Sequence, residues 1–506
     1  MLSLSRRACV LVPLALFALP SGDALAQQPV TAPCPPGRIV ASGCPAGSLN
    51  LADAVAMAQR QGLSAEASRQ MLVESRARNA AFRARLLPQL SLDAMPANYN
   101  RGFIPVVLPT GETQFASQSQ NESTAGLTVS QALPWIGSTL TVGSYLDRLD
   151  LTGSVTSRTY RTTPFLVTLR QDLLKPRELL WDTRSQDLRA GLAERQYLES
   201  REDLAINTAA AFFDYYAATV ALRNATSNVA VNDTLYTLNK GRYEVGKIGE
   251  NDLLQSELQL LRARASLDGA KLERDRSESA LRRLVNVHAT DTLVVVPPEN
   301  VSTIEVDPSV AVTEALRNSS VAEQAALDSV VARRSVTEAR LTNGFGATII
   351  ASYGMNQTNS LFGLSYASPL PQQGFQLHVT MPLFQWGGGS ADVQAAKAEE
   401  ARAASTSRAR REQAAEDARY AALQLTQSQR MLLIAAKADT VAQKRFEVAK
   451  NRYLIGKIGV SDLYIAQNEK DQALDAYVQA LRGYWNNYYR LRRVTLYDFE
   501  QKARVQ

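Results

Sequence analysis

The sequence predicts a mixed α/β membrane protein built from two tandem repeats, each joining a few strands to very long helices. Residues 242–253 match residues 452–463 at eight of twelve positions, which indicates an internal duplication. Residues 178–240 contain one glycine and no proline, and residues 390–455 contain neither, as expected for uninterrupted helices. The strand-like segments between these helices are few, short and amphipathic.

The first 26 residues have the pattern of an export signal. Arg6 and Arg7 precede an apolar stretch over 8–19, and an A-x-A pattern ends at Ala26. We therefore expect cleavage after Ala26, leaving a chain of residues 27–506. Beyond this segment no apolar run reaches the roughly 18 residues that a membrane-spanning helix needs.

The segment 27–48 is rich in cysteine and proline and has neither helix nor strand periodicity. Cys34 and Cys44 lie close together in it, and in an oxidising compartment such a pair favours a disulfide over a metal site. Two free thiols in a flexible arm are the alternative. Both interpretations give the cysteines a structural role.

We expect repeat 1 over 49–285, a linker over 286–311, repeat 2 over 312–499 and a tail over 500–506. Each repeat is predicted to run from a helix through strands into a long helix, a glycine turn and a second long helix. The alternating patterns that predict strands lie at 89–99, 127–133, 139–145, 165–173, 347–355 and 375–383.

So few strands cannot close a barrel within one chain. An open sheet edge in a membrane leaves backbone groups without hydrogen bonds, at a cost of several kcal/mol each, so several identical chains are expected to close one barrel together. The long helices would continue this cylinder through the aqueous compartment. Trp135, Trp181 and Trp386 lie near strand ends, where they fit either an interfacial aromatic girdle or packing at a sheet–helix corner.

Two pairs of glycines interrupt the long helices at equivalent places, 246/249 and 456/459. Glycine adopts positive φ without a steric penalty, so each pair is expected to reverse the chain into an antiparallel hairpin. Asp252 and Asp462 follow the pairs and are expected to cap the returning helices.

The chain from about 49 to 499 resembles the TolC-like outer membrane efflux family. The likeness rests on the opening segment 49–58, on the Arg-Leu-Leu-Pro-Gln-Leu segment 85–90, and on the two Tyr-x-x-Gly-Lys-Ile-Gly-x-x-Asp-Leu turns. It implies a homotrimer in the outer membrane, in contact with its lipid, whose chains share a twelve-stranded β-barrel continued by a long α-helical barrel in the periplasm. It also implies a passive exit duct of a tripartite efflux or type I secretion system, with a periplasmic adaptor protein and an inner-membrane transporter as partners.

Twelve strands in a trimer imply four from each chain, expected at 89–99, 165–173, 347–355 and 375–383. The additional pair within 127–145 departs from this pattern. It would extend strands, form external loops or lie outside the barrel, and the sequence leaves the three alternatives open.

The resemblance also places the glycine turns at the periplasmic tips, where the duct narrows and the adaptor docks. The implied docking residues are Gly246, Lys247, Ile248, Gly249, Gly456, Lys457, Ile458 and Gly459. In the family two inward-facing aspartates, three residues apart, follow the second turn; here Asp462 matches the first, and Ile465 occupies the second position. A trimer would place three Asp462 carboxylates around a gate that favours cations, and Asp252 is the equivalent residue of repeat 1. The alternative role for Asp462 is helix capping alone.

The position of Ile458 holds an arginine tied to the closed state in the best-known family member. A latch in this chain would therefore need other partners, for which Lys457 and Arg452 are candidates.

Other classes of function fit less well. A net charge of +6 on 506 residues does not indicate a nucleic-acid-binding protein. The only histidines, His288 and His378, have no neighbouring catalytic constellation, so we expect neither an enzyme nor a cofactor. A periplasmic coiled-coil adaptor or scaffold is the alternative; it would explain the helices and turns but not the strands in both repeats. The sequence does not indicate which substrate is transported.

Overall fold

The computed structural model describes residues 48–107, 110–153, 156–287, 293–298 and 304–505. The predicted signal peptide and the predicted Cys34–Cys44 disulfide lie outside these residues, as does His288.

The described chain consists mainly of helices, with one large sheet and two small ones. The α-helices are α1 (Leu51–Gln61), α2 (Leu63–Arg85), α3 (Glu178–Glu244), α4 (Glu250–Val285), α5 (Pro308–Asn318), α6 (Ser320–Thr342), α7 (Gly388–Leu454) and α8 (Val460–Thr495), and a 3₁₀ helix covers Phe362–Tyr366. The strands are β1 (Ser48–Asn50), β2 (Gln89–Val107), β3 (Thr113–Leu133), β4 (Ser138–Gly153), β5 (Ser157–Leu173), β6 (Val294–Val296), β7 (Gly346–Asn359), β8 (Leu370–Thr380), β9 (Tyr497–Asp498) and β10 (Ala503–Arg504). None of the described helices is both long enough and apolar enough to cross a bilayer.

The helices of the two repeats correspond in order and in length. α1 to α4 contain 11, 23, 67 and 36 residues, and α5 to α8 contain the same numbers. α5 begins 257 residues after α1, whereas α7 begins only 210 residues after α3. The first repeat therefore holds 47 more residues than the second between its short helices and its long ones, which is the region of the strands.

The long helices form antiparallel hairpins, α3 with α4 and α7 with α8, and the two hairpins also contact each other through α3 and α8. With 67 residues each, α3 and α7 extend on the order of 100 Å.

The main core lies partway along these rods, where the short helices pack against them. Phe212, Phe213, Leu425 and Tyr484 are fully buried there and belong to one cluster with residues of α1, α4 and α5. This core fixes both hairpins into one body.

The large sheet contains six strands in the order β2-β3-β4-β5-β7-β8, all antiparallel. Four strands per chain is therefore two too few, because the pair within 127–145 belongs to β3 and β4, which lie between β2 and β5. The distal parts of these strands are polar, as in 117–123, and lack the apolar alternation that marks a strand in a sequence. All six strands meet the helices at one end of the sheet, the helix-proximal end.

Candidate functional site

The large sheet has one apolar face near its helix-proximal end. Residues directly opposite each other on neighbouring antiparallel strands lie on the same face, and every second residue returns to it. By this rule Leu92 and Leu127 share a face, as do Val129 and Val142, and Ile349 and Leu377. We call this set the apolar band: Leu90, Leu92, Ala125, Leu127, Val129, Leu140, Val142, Val167, Leu169, Ile349, Ala351, Tyr353, Phe375, Leu377 and Val379. The band crosses all six strands, and many of its side chains are exposed, Leu92 and Phe375 by 70% each.

The opposite face of the same strands is mostly polar. It carries Ser91, Thr128, Ser130, Thr141, Thr168, Arg170, Ser352, Gln376 and His378. The hydroxyl oxygens of Ser91 and Thr128 are 2.8 Å apart across β2 and β3. Alternation between an apolar and a polar face is the pattern of a strand between lipid and water.

Both outer strands of the sheet, β2 and β8, pair on one side only within the described part of the chain. Their other sides present backbone donors and acceptors to whatever surrounds the protein. The sheet is therefore open at both edges.

The three tryptophans near the strand ends differ in their surroundings. Trp135 and Trp386 are 66% and 89% exposed at the helix-proximal end of the sheet, where an interfacial girdle belongs. Trp181 is partly buried, and the guanidinium of Arg184 lies 5.3 Å from its ring centroid. Its surroundings fit packing at a sheet–helix corner.

The other candidate site is the tip formed by the two glycine turns. In the first turn the Lys247 N–H donates to the Arg242 carbonyl at 2.8 Å, and the Gly246 N–H to the Tyr243 carbonyl at 2.9 Å. The second turn repeats both hydrogen bonds at 2.9 and 3.0 Å, 210 residues further on. This is the Schellman pattern, in which the residue after the helix adopts positive φ. Gly246 and Gly456 have φ of 71° and 73°, so these two glycines reverse the chain.

The other two glycines of the turns, Gly249 and Gly459, have extended backbones and occupy the N-cap positions of α4 and α8. The expectation that Asp252 and Asp462 cap these helices is wrong, since neither helix has a side-chain cap and both aspartates lie in the first turn. There a carboxylate acts on the helix dipole and stays available for other interactions. Asp462 is exposed, and Ile465, one turn further along the same face of α8, is 51% exposed.

The two hairpins are joined at the tip by a contact that the sequence did not indicate. The buried Tyr453 hydroxyl of α7 donates to the Asn239 Oδ1 of α3 at 2.5 Å. The guanidinium of Arg242 lies 5.2 Å from the Tyr453 ring centroid, and its Nη2 donates to the Leu454 carbonyl at 3.3 Å. Arg242, rather than Lys457 or Arg452, therefore makes the basic contact between the hairpins.

A second polar contact joins the hairpins above the tip. Both carboxylate oxygens of Asp471 on α8 accept hydrogen bonds from α3, one from Asn224 at 2.8 Å and one from Asn228 at 2.7 Å. The ammonium of Lys470 lies 3.1 Å from Asp471 and 4.8 Å from the Phe446 ring centroid. Between these two contacts, burial raises the pKa of Tyr464 to about 12, so its hydroxyl stays neutral at physiological pH.

The tip contacts enclose a cavity of about 420 Å³ between the two turns. It brings together Lys247 and Ile248 of the first turn with Gly456, Ile458 and Gly459 of the second. Within the described ranges, no group of three or more His, Cys, Asp or Glu side chains is placed to hold a metal ion.

A family model described as outer membrane efflux protein matches residues 113–287 and 311–495, well over half of the chain. No match was found among curated proteins.

Several solved structures have a similar fold. The CmeC outer membrane channel of Campylobacter jejuni has 17% identity and a TM-score of 0.64, with 90% of this chain and 86% of that chain covered. The outer membrane protein VceC of Vibrio cholerae has 13% identity and a TM-score of 0.62, covering 90% and 97%. The open state of the MtrE outer membrane channel of Neisseria gonorrhoeae has 16% identity and a TM-score of 0.61, covering 90% of each chain.

The two kinds of turn glycine predict opposite responses to serine. Gly456→Ser places a side chain at positive φ, which costs about 1–2 kcal/mol. Gly459→Ser places it on an extended N-cap, where the hydroxyl can accept a free helix N–H. A Cβ meets no atom within 4 Å at either glycine, so crowding does not confuse the comparison. Hydrogen exchange of the second turn should accelerate roughly 5- to 30-fold in Gly456→Ser. Equal exchange in both variants would contradict the assigned turn geometry.

Removing the Tyr453 hydroxyl should loosen the tip. Tyr453→Phe leaves the buried Asn239 carbonyl oxygen without its donor, at a cost of about 1–3 kcal/mol. The matched control is Tyr243→Phe, the equivalent change in repeat 1 at a side chain that is 41% exposed, which should shift stability by no more than about 0.5 kcal/mol. Hydrogen exchange of α3 around Asn239 measures the difference, and equal protection in the two variants would refute a latch at Tyr453.

Proposed function

Because this chain belongs to the outer membrane efflux protein family, we propose that three copies of it form a passive exit duct through the outer membrane and the periplasm. The observation that carries this proposal is one open sheet, lipid-like on one face and polar on the other, attached to helices on the order of 100 Å long. A sheet of this kind encloses an aqueous path only when its edges are joined.

The open edges support closure by further copies. In hydrocarbon the unpaired backbone groups of β2 and β8 would each cost several kcal/mol, and the β8 edge of one copy can pair with the β2 edge of the next. The apolar band then faces lipid all around the barrel, and the polar face lines the lumen.

The helices carry complementary features. α4 exposes Leu254, Leu258 and Leu261, which are spaced by four and three residues. α7 exposes Ile434, Val441 and Val448, which are spaced by seven. Both spacings are those of helix-packing seams. An apolar groove of about 660 Å³ beside the α7 seam, lined by Leu433, Ile434 and Val441 among others, fits the α4 seam of a neighbouring copy. Six hairpins from three copies would then form the helical barrel.

The tips are proposed as the gate and the docking surface. Three copies would bring three Asp462 and three Ile465 side chains to one constriction, a weakly charged and partly apolar ring. Asp252 of the first repeat would add carboxylates near the same level. The turn residues around the tip cavity would contact a periplasmic adaptor, which connects the duct to an inner-membrane transporter.

The alternative, a periplasmic adaptor or scaffold, is not favoured. Such a protein lies in water and has no use for a sheet with an exposed apolar band across six strands. The family to which the chain belongs consists of outer membrane efflux proteins, and the structural neighbours described above include outer membrane channels.

Fractionation and cross-linking test the proposal. The expressed protein should be found in the outer membrane as a trimer that survives mild detergent, and a photo-crosslinker at Lys247 or Lys457 should capture a periplasmic adaptor. The same crosslinker at Lys397, higher on α7 and 51 residues before the second turn begins at 448, serves as the matched control and should capture none. A soluble periplasmic monomer would overturn the proposal.

Charge changes at the tip should alter ion selectivity without altering assembly. Asp462→Asn should lower the ratio of cation to anion permeability in planar bilayers, whereas Ile465→Asp, which adds a carboxylate one turn away, should raise it. Asp252→Asn should have the smaller effect, because that side chain is partly buried. Native mass spectrometry should give the same oligomer for all three variants. Unchanged selectivity in both Asp462→Asn and Ile465→Asp would remove Asp462 from the gate.

A further inference from the structure

The 47 additional residues of the first repeat form a β-hairpin inside the membrane wall. β2 begins four residues after α2 ends, and β7 begins four residues after α6 ends, so these two strands correspond. β5 and β8 correspond likewise, since each is the last strand before a long helix. In the second repeat β7 pairs directly with β8, whereas in the first repeat β3 and β4 separate β2 from β5.

We propose that the β3–β4 hairpin is part of the barrel wall, so that three chains close an eighteen-stranded barrel instead of a twelve-stranded one. This inference rests on the proposed trimeric duct and adds to it the size of the lumen. Three observations carry it: continuous pairing, a fixed register, and the distribution of side chains over the two faces.

The pairing of the hairpin is continuous on both sides. β3 and β4 pair without a register shift from Gln118 opposite Gly153 to Leu133 opposite Ser138. β3 also pairs with β2 over the full length of β2, with one bulge, and β4 pairs with β5. Displacing the hairpin from the wall would leave long edges on β2 and β5 without backbone partners in lipid.

Side chains fix the register of the hairpin. The Tyr145 ring covers Gly126 and Gly143, where an added Cβ would lie 2.7 and 2.5 Å from atoms of the tyrosine side chain. Only glycine leaves room for the ring at these two positions, so a slipped register would lose the fit.

The turn of the hairpin is anchored on both sides. The Gln131 side chain donates to the Leu86 carbonyl before β2 at 2.7 Å. The Gln171 side chain of β5 donates to the Ile136 carbonyl of the turn at 2.7 Å, and Arg177 donates to the Trp135 carbonyl at 3.2 Å.

The faces of the hairpin match those of its neighbours. Leu127 and Val129 of β3, with Leu140 and Val142 of β4, continue the apolar band from β2 to β5. The residues between them, Thr128, Ser130 and Thr141, continue the polar face. An external loop or a hairpin in solvent has no reason to carry an apolar stripe in line with that of four other strands.

The consequence is a wider exit. The diameter of a barrel grows roughly in proportion to its number of strands, so eighteen strands enclose a lumen about one and a half times as wide as twelve. Barrels of sixteen to eighteen strands leave an open aqueous channel. Because the face toward this lumen is polar, the structure assigns to the outer-membrane segment the passage of bulky hydrated cargo.

Fluorescence quenching in lipid nanodiscs tests the inference. In a background with Cys34→Ser and Cys44→Ser, single cysteines at Val129 and Ser130 of β3 are labelled with bimane in the purified oligomer. Leu169→Cys and Thr168→Cys on β5 are the matched controls, on a strand that belongs to the wall in either barrel. We expect brominated lipid to quench the labels at 129 and 169 to the same extent, and aqueous iodide to quench those at 130 and 168.

The outcomes separate the two proposals. Lipid quenching at 169 without quenching at 129 would place the hairpin outside the wall and overturn the inference, while leaving the duct intact. Lipid quenching at neither site would overturn the membrane duct itself, and the inference with it. A strand count from electron cryomicroscopy of the same oligomer should give eighteen, and a count of twelve would overturn the inference whatever the number of subunits.

Discussion

The structure depends on one constraint: every backbone hydrogen-bonding group that faces hydrocarbon must have a partner. A single chain cannot meet this constraint, because its sheet ends in the open edges of β2 and β8. The helices meet it internally, since α-helices satisfy their own backbone, and they stand in water with polar outer faces. The sheet is thus the part of the molecule that makes assembly obligatory, and the helices follow the symmetry that the sheet sets.

The tandem repeat determines where the protein can change in size. The four helices of each repeat have equal lengths, and both turns use the same pair of hydrogen bonds, so the helical part is the same in both copies. The 47 additional residues fall where strands join strands. A hairpin can enter an antiparallel sheet there without moving any helix, because it brings two paired edges and restores the direction of the chain. A helix inserted in the long rods would instead have disturbed the alignment of the two turns.

Much of this fold could be predicted from the sequence, and the exceptions have physical reasons. The absence of glycine and proline over 390–455 predicted a helix because those residues are the ones that break helices. The full length of β3 and β4 was missed because their distal parts lie beyond the apolar band and carry polar residues on both faces. The caps at Asp252 and Asp462 were placed wrongly because an extended glycine can occupy an N-cap position as well as a carboxylate can. The contact of Tyr453 with Asn239 joins residues 214 apart, and local periodicity carries no information about such a pair.

The width of the barrel and the chemistry of the tip together assign the control of passage to one end of the molecule. Polar side chains line a wall of many strands and offer little resistance to hydrated solutes. At the other end the buried Tyr453–Asn239 hydrogen bond and the Asp471 contacts hold two hairpins together, and exposed Asp462 and Ile465 lie just beyond them. A neutral hydrogen bond inside a packed cluster is individually worth about 1 kcal/mol, so an adaptor that binds the turns has enough energy to break several of them. An aqueous lumen of fixed width with a weakly latched tip is a duct in which the partner at the tip, and not the barrel, decides when cargo leaves.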